Sequence, residues 1–504
     1  MPSYLSPGVY VEEVQNGARP IEGVGTAVAA FVGFASQGPF HEPTLVTNWN
    51  QHVQTFGGFD ENYLGRSVYG YFANGGGAAY VVRIGGPSTA AHTDPAPAPV
   101  EIGGLRIAAL PGAGADLTVE VADAEGENPP EDRFRLVVSQ GGKVVETFDV
   151  STKKNVKSYV VSQVRERSKL IEVTERGSAA LTRPDNQSVA LAAAPSPAAP
   201  AAVDAREYVG DLAARTGFGG LETIDEITMV AVPDLMSAHQ RGLIDAEGVK
   251  TVQLAAISHC EQMGDRVALL DAPPGLNAQQ VRAWRSEQAG YDSKYATLYY
   301  PWIKVFDPAS GRNAMVPPSG HVAGVWARSD AERGVHKAPA NEVIRGAVDL
   351  EVNLSKGEQD MLNPIGVNCI RAFAGRGIRI WGARTLSSDP GWRYLNVRRL
   401  FNYLEESILI GTQWVVFEPN DDRLWSSIRR NISAFLHQAW RDGALFGRTA
   451  AEAFYVKCDR ENNPQESIDL GQVVCEIGVA PVKPAEFVIF RLSQFSDSTS
   501  LVSE

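Results

Sequence analysis

Over much of this chain, apolar and polar positions alternate in short runs separated by glycine and proline. IGVNCIRAF and RGIRIWGART alternate with period two and are bounded by glycine, which predicts two strands. At Val397 the period changes. Val397, Leu400, Phe401, Leu404 and Ile408 recur at helical spacing and form one apolar stripe, closed by Gly411. QWVVF predicts a return to strand before the breaker sequence EPND. A second amphipathic helix follows, with Leu424, Ile428, Ile432, Phe435, Leu436 and Ala439 on one side and Asn420 or Asp421 as its cap.

Similar patterns occupy the preceding residues. TAVAAFVGFA predicts a buried strand, and TLVTNWNQHVQTFGG a strand and a short helix capped by Thr47. Leu64, Val68, Tyr71 and Phe72 mark a helix that ends at the NGGG of Asn74 to Gly77, and AYVVRI is the next strand. RFRLVVSQGGKVVETFDV reads as a hairpin about Gly141-Gly142, followed by a short helix and the strand LIEV. The Pro/Ala-rich stretches STAAHTDPAPAP and AAAPSPAAPAA bracket this unit, as an insertion into a larger domain requires. Beyond it, EITMVAVP, RVALLDAP and TLYYPWIKVFD are short apolar strands, with helices at SHCEQM and NAQQVRAWRSEQ. That alternation predicts an α/β unit with a mostly parallel sheet. AFYVKCD and GQVVCEIGVAPV are later strands.

The two ends of the chain pose one puzzle. VYVEEV, from Val9 to Val14, is a strand with no hairpin partner nearby, and a polar, turn-rich segment follows it. EFVIFRL, from Glu486 to Leu492, follows Pro481 and Pro484 and is apolar on both faces: Phe487 and Ile489 point one way, Val488, Phe490 and Leu492 the other. Lone terminal strands are marginal, so these must pair far away, in their own chain or in another. FSDSTSLVSE beyond them reads as a frayed tail.

Charge and chemistry exclude several functions. The net charge of −13 argues against nucleic acid as the main partner. Ile365 to Trp440 runs against that balance, with ten Arg, no Lys and six acids. Arg398 and Arg399 open their helix, where the dipole disfavours cations; their face is either solvated, internally paired or built for an acidic partner. Cys260, Cys369, Cys458 and Cys475 are scattered and read as reduced, mostly buried thiols, with no metal-ligand spacing. The NGGG run follows a helix and lacks the Lys and Ser/Thr of a phosphate loop. No run has the length of a membrane span, and MPSYLSPGVYVEE lacks a basic start or an apolar signal core, so the expectation is a cytoplasmic chain, which leaves room for release by lysis. Asp234 and Asp271 fall at strand ends, with Ser319, His321 and Asp330 near in sequence, so the alternative reading is an α/β hydrolase or nucleotide-dependent enzyme with an accessory domain. Against it, Ser319 and His321 are two residues apart on a helix and no nucleophile elbow is present. The expectation is a non-enzyme without metal or cofactor.

The segments NPIGVNCIR, GIRIWGARTL and YLNVRRLFNYLEESILIGTQWVVFEPND resemble the C-terminal domain of contractile tail sheath proteins, the family of phage tail sheaths and phage-tail-like contractile injection systems. YYPWIKVFDP and VPPSGHVAGVWARSDAERGVHKAPAN resemble its central segment, and the AAFVGFASQGP and YFANGGGAAYVVRI stretches its N-terminal part. The likeness covers roughly residues 1–90 and 204–495; the inserted unit matches nothing specific.

The resemblance implies an α/β multidomain protein. Its parts would be an N-terminal arm at 1–24 and a discontinuous, subtilisin-like but non-catalytic α/β domain at 25–88 and 204–362. An α+β outer domain would be inserted at 89–203, with an α+β C-terminal domain facing the tube at 363–485 and a C-terminal arm at 486–504. It implies strand exchange between subunits through Val9, Tyr10, Val11, Phe487, Val488, Ile489 and Phe490, and a tube-facing helix carrying Arg423, Arg429 and Arg430. The implied function is structural: a helical homo-oligomer wraps an inner tube and contracts to drive it through an envelope. The implied partners are further copies of the chain, the inner tube protein, and the baseplate and tail-terminator or cap proteins. Neither nucleic acid nor direct membrane insertion is implied.

Overall fold

The computed structural model describes residues 20–85, 100–109, 117–124, 129–154, 156–168, 170–175, 181–191, 203–308 and 310–490. The organising element is a nine-stranded sheet. In spatial order its strands are Glu342–Val343, Gly377–Ile380, Val367–Phe373, Ala296–Tyr300, Val267–Asp271, Met229–Ala231, Val28–Gly33, Ala78–Arg83 and Thr44–Val46. The six strands from Val367–Phe373 to Ala78–Arg83 run parallel, and the outer strands on both sides are antiparallel. Parallel strands need crossover helices, so both faces of such a sheet are covered.

Both faces are indeed buried. Ala30 and Val32 enter one core with Val252, Ile257 and Cys260 of the helix Ala246–Met263. Ala29 and Phe31 enter the other, with Val68 and Tyr71 of Leu64–Asn74 and Val322, Val325 and Trp326 of Ser319–Arg333. The last two helices pack closely enough that a Cβ on Gly320 would lie 2.5 Å from the Ser67 backbone. Val28–Gly33 pairs with Ala78–Arg83 on one side and Met229–Ala231 on the other, so residues before and after the inserted unit share one sheet.

Residues 100–191 build two smaller sheets. Gln187–Leu191, Leu117–Asp123, Arg133–Gln140 and Lys143–Ser151 form one; Val100–Ile102, Leu105–Ala109 and Ile171–Glu175 form the other. Gly141 and Gly142 turn the expected hairpin with φ of 57° and 78°, which a two-residue turn of this type requires. The helix Val160–Arg167 closes a core whose residues are all drawn from this unit.

Several elements depart from the sequence reading. TLYYPWIKVFD is two strands. Ala296–Tyr300 stays in the large sheet, and Ile303–Asp307 joins Arg312–Val316 and Ala347–Leu350 in a separate one. Pro301 lies between them and has no N–H to continue a ladder. Asn48, not Thr47, caps the helix Trp49–Phe56, by accepting from Gln51 N. QWVVF is a short 3-10 turn at Gln413–Val415, not a strand; Val416 and Phe417 after it project into solvent. Glu486–Phe490 lie outside any helix or strand, so no strand forms there within the chain. Its paired neighbours end at Glu476–Val479, extended only by a bridge between Leu445 and Pro481.

Candidate assembly interface

The C-terminal part is attached to the large sheet through buried arginines. In the helix Leu395–Gly411, Arg398 and Arg399 are buried, which removes them from any acidic partner's reach. The Arg398 guanidinium lies 4.6 Å from the ring centres of both Tyr295 and Trp392. Its Nε donates to Asn402 Oδ1 at 2.6 Å and its Nη2 to Glu405 Oε2 at 2.9 Å. Arg399 Nη1 donates to Asp330 Oδ1 at 2.9 Å, and its Nη2 to the Thr26 carbonyl at 3.0 Å. Of the readings left open for these two arginines, internal pairing is the one observed.

The second helix, Asp422–Arg441, buries Leu424, Trp425, Ile428, Ile432, Phe435, Leu436 and Ala439, a regular stripe along one side. Asp421 caps it by accepting from Arg423 N and Leu424 N, while Asn420 accepts from Trp425 Nε1. The stripe packs on the two-stranded antiparallel sheet of Phe454–Lys457 and Glu476–Val479. On the outward side Arg423 and Arg430 are exposed. Arg429 is only half-exposed, because Nη1 donates to the Cys458 carbonyl at 2.7 Å.

Two chain segments are fastened to the body, one at Ile21 and Val24 and the other at Glu486. At the first, Ile21 is buried against Gly411, and Val24 N donates to Ser407 Oγ at 3.1 Å. At the second, Glu486 accepts from Arg384 Nε at 2.8 Å, Arg384 Nη2 at 2.6 Å, Asn363 Nδ2 at 2.8 Å and Tyr394 OH at 3.3 Å. Burial alone would raise the Glu486 pKa; the bonds from Arg384 and Asn363 outweigh it and hold the carboxyl below its usual range. Directly beyond this clamp Phe487, Val488, Ile489 and Phe490 are 71%, 66%, 79% and 83% exposed. Four consecutive large apolar side chains in solvent form a surface that calls for cover. Val9, Tyr10 and Val11 lie outside the described residues. Neither outer edge of the two-stranded sheet carries a further strand among the described residues.

The residues weighed for catalysis are dispersed into structural contacts. Ser319 donates its Oγ to Asp271 Oδ2 at 2.6 Å and its N to Asp271 Oδ1 at 3.0 Å, so Asp271 caps a helix start. Burial raises the Asp271 pKa to about 7. His321 is buried, its pKa is depressed to about 4, and its Nδ1 has no hydrogen-bond partner among the described residues. Asp330 is held by Arg399 and Thr26. Asp234, raised by burial to about 7, accepts from Phe34 N and Tyr63 N. No hydrogen bond links Ser319 to His321 in this arrangement, and the hydroxyl's proton goes to a carboxylate that is itself buried.

The sequence reading did not identify Glu486 and Arg384 as a clamp, Ile21 as an anchor, or Phe417 as fully exposed with φ of 69°. Only the placement of Glu486 between Pro484 and an apolar run offered a signal.

Fold and surface together define a mixed α/β protein whose polar constellations serve packing, with four consecutive exposed apolar side chains just past Glu486. The phage tail sheath protein central domain matches residues 205–386, and the phage tail sheath C-terminal domain matches residues 387–495. The chain belongs to the phage tail sheath family, whose members are structural proteins rather than enzymes. It is 28% identical over 262 residues to the tail sheath protein of Vibrio phage KVP40, covering 47% of this chain and 38% of that protein. It is 29% identical over 264 residues to that of Burkholderia phage BcepMu, covering 50% of this chain and 52% of that protein. The chain thus spans about half the length of the curated relatives it matches.

Among solved structures, the contracted sheath of the anti-feeding prophage shares the fold over 98% of this chain and 100% of its own, with a TM-score of 0.60 and 24% identity. The sheath tail protein of Desulfitobacterium hafniense shares it over 90% of this chain and 94% of its own, with a TM-score of 0.59 and 14% identity. Among the described residues no helix is long and apolar enough to cross a membrane.

Proposed function

We propose that the chain is the repeating structural subunit of a contractile sheath. Copies polymerise as a helical lattice around an inner tube and, on release, shorten and drive the tube through a target envelope. The observation that carries this reading is the exposed run Phe487–Phe490 immediately after the Glu486 clamp. Covering one such side chain contributes about 1.5–3 kcal/mol before ordering costs, and each backbone bond of an added strand about 1 kcal/mol. A neighbour's two-stranded sheet, open at its edges, is the complementary surface, so the segment adds a strand there. The Val9–Val14 segment does the same at the other end. Such links hold while the bodies slide past one another, as contraction requires.

In this reading the arms are residues 1–24 and 486–504, and residues 25–88 and 204–362 form one discontinuous, subtilisin-like domain. Residues 89–203 stand on the outside, and residues 363–485 face the tube. Arg423 and Arg430 make the tube contact; Arg429 contributes less, because its guanidinium already holds the Cys458 carbonyl. Other partners are the baseplate and a terminating cap, and assembly takes place in the cytoplasm as part of a phage tail or tail-like particle.

The test is electron microscopy of the full chain expressed with its tube protein, beside variants lacking residues 1–15 or 486–504. The full chain is expected to form rods, and both truncations soluble, folded monomers. Replacing residues 89–203 by a Gly/Ser linker leaves rods intact. Rods that still form with both arms removed overturn the proposal.

A further inference from the structure

The two-stranded sheet of the C-terminal part ends in a pair of thiols. Phe454 faces Val479 and Lys457 faces Glu476 in antiparallel register. Extended one step past the last paired residues, Lys457 and Glu476, the same register sets Cys458 opposite Cys475. Directly opposed residues of an antiparallel pair have Cα atoms about 4.5–5.5 Å apart, within the roughly 4.4–6.8 Å that a disulfide spans. Asn463 holds the two sides together. Its Oδ1 accepts from Val474 N at 2.6 Å, its Nδ2 donates to the Val474 carbonyl at 2.9 Å, and that same Nδ2 lies 4.0 Å from Cys458 Sγ. Each thiol perturbs the other's proton affinity, as close neighbours do. Cys458 is buried in the core beneath the helix Asp422–Arg441, and Cys475 is half-buried, so one sulfur of the pair is within reach of solvent.

We propose that Cys458 and Cys475 are an oxidation site that forms a reversible disulfide, closing the loop 459–474 and locking the two strands together. The oxidant is a small disulfide of the oxidised glutathione class. The Cys475 thiolate attacks one sulfur of that disulfide; a protein–reagent S–S bond forms, the reagent's own S–S bond breaks, and the departing thiolate takes up the Cys475 proton. Cys458, losing its proton to the second departing thiolate, then attacks Cys475 Sγ. Two protein thiols are oxidised and one small disulfide is reduced to two thiols. Burial pushes both thiols up in pKa, Cys475 to about 12. The reaction is therefore slow at neutral pH and accelerates on the order of tenfold per pH unit below that value. Cys260 and Cys369 are buried in the main core and do not compete for the reagent.

The inference rests on sheet geometry and is independent of the sheath reading. The test treats the folded full chain with oxidised glutathione at mildly alkaline pH and follows intact mass and linked peptides. The expected product has lost two hydrogen atoms per chain, carries a Cys458–Cys475 link, and reverts with dithiothreitol. Cys458→Ser is expected to stop at glutathione on Cys475, since no second thiol resolves it, and Cys475→Ser to form neither adduct nor link. If Cys458→Ser does not fold, wild type and Cys475→Ser decide the matter. A wild-type chain that accumulates glutathione at Cys475 without closing the link, or that links a different pair, overturns the proposal.

Discussion

Arg384 grips Glu486 through two parallel hydrogen bonds, Nε to Oε1 at 2.8 Å and Nη2 to Oε2 at 2.6 Å, one residue before the exposed apolar run begins. Arg384 is 9% exposed at its side chain and Glu486 19%, so the pair is shielded from salt far better than a surface ion pair. The clamp fixes the direction in which Phe487–Phe490 leave the body. Glu486→Ala is expected to remove about 1.5–3 kcal/mol of local fastening while barely changing global unfolding. Hydrogen exchange over residues 482–486 is the measurement. Unchanged protection in the variant would show that the clamp positions nothing.

The N-terminal fastening depends on a missing side chain. A Cβ on Gly411 would lie 2.7 Å from Ile21 Cγ1 and 2.8 Å from its Cγ2. Gly411→Val therefore pushes Ile21 out of its seat, at a cost of about 1–3 kcal/mol for overpacking. The expected phenotype is a folded monomer that fails to polymerise, because the segment that begins at Ile21 is misdirected. Normal rods from Gly411→Val would dissociate this seat from assembly.

These two fastenings mark where reading the sequence stopped. The parallel strands, the Gly141-Gly142 hairpin and the Asp421-capped helix were legible because period and capping are local properties. The split of TLYYPWIKVFD was half-legible: Pro301 announces a break, but nothing local says that the two halves join different sheets. Arg398 and Arg399 left internal pairing as one reading among several, because a run of arginine looks the same whether its partners, Tyr295, Trp392 and Asp330, lie near or far in sequence. QWVVF misled through strand propensity, which tertiary context overrides. Glu486 was invisible as a clamp because Arg384, Asn363 and Tyr394 reach it from more than ninety residues away.

The Arg399–Asp330 pair is buried on both sides, at 3% and 5% exposure, and joins the helix Leu395–Gly411 to the helix Ser319–Arg333. Removing one partner strands the other's charge. Arg399→Leu is expected to destabilise by about 3–5 kcal/mol, and Arg399→Leu with Asp330→Leu to recover most of that loss. Urea denaturation of the three proteins gives the comparison. A double variant as unstable as the single one would mean that packing against Trp326, not charge, is what Arg399 supplies.

Two exposed cations of the Asp422–Arg441 helix, besides Arg441 in its last turn, are Arg423 and Arg430. Reversing both to Glu is expected to leave the monomer's melting temperature within about 1–2 °C, since neither is buried, and to uncouple sheath from tube in co-sedimentation. Wild-type co-sedimentation should weaken with salt over the range in which the Debye length falls from about 10 Å to 3 Å. Reversal variants that still co-sediment at low salt would move the tube contact elsewhere.

His321 makes stability depend on pH in a direction that can be worked out. Its ring lies against Gly70, buried, with a folded pKa of about 4 against an ordinary 6.5. A base with a depressed folded pKa contributes stability that is fully present above pH 6.5 and lost as pH falls toward 4. The loss amounts to roughly 3 kcal/mol at the acid end. His52 and His259 are depressed to about 4 as well and act in the same direction. Asp234 and Asp271, raised from 3.8 to about 7, oppose them: their contribution is present below 3.8 and lost as pH rises through 7. Across pH 4 to 6.5 these five groups leave the unfolded chain about one proton richer, so their joint contribution to stability climbs with pH at ~1.4 kcal/mol per unit. His321→Leu removes one of the three histidine protons, so its stability is expected to climb less steeply over that window, by ~1.4 kcal/mol per unit. The variant should also tolerate the change well, because Nδ1 forfeits no hydrogen bond among the described residues. Urea midpoints at several pH values for both proteins measure the two slopes. Parallel curves would mean that His321 is protonated in the folded chain, and the burial argument for it would fall.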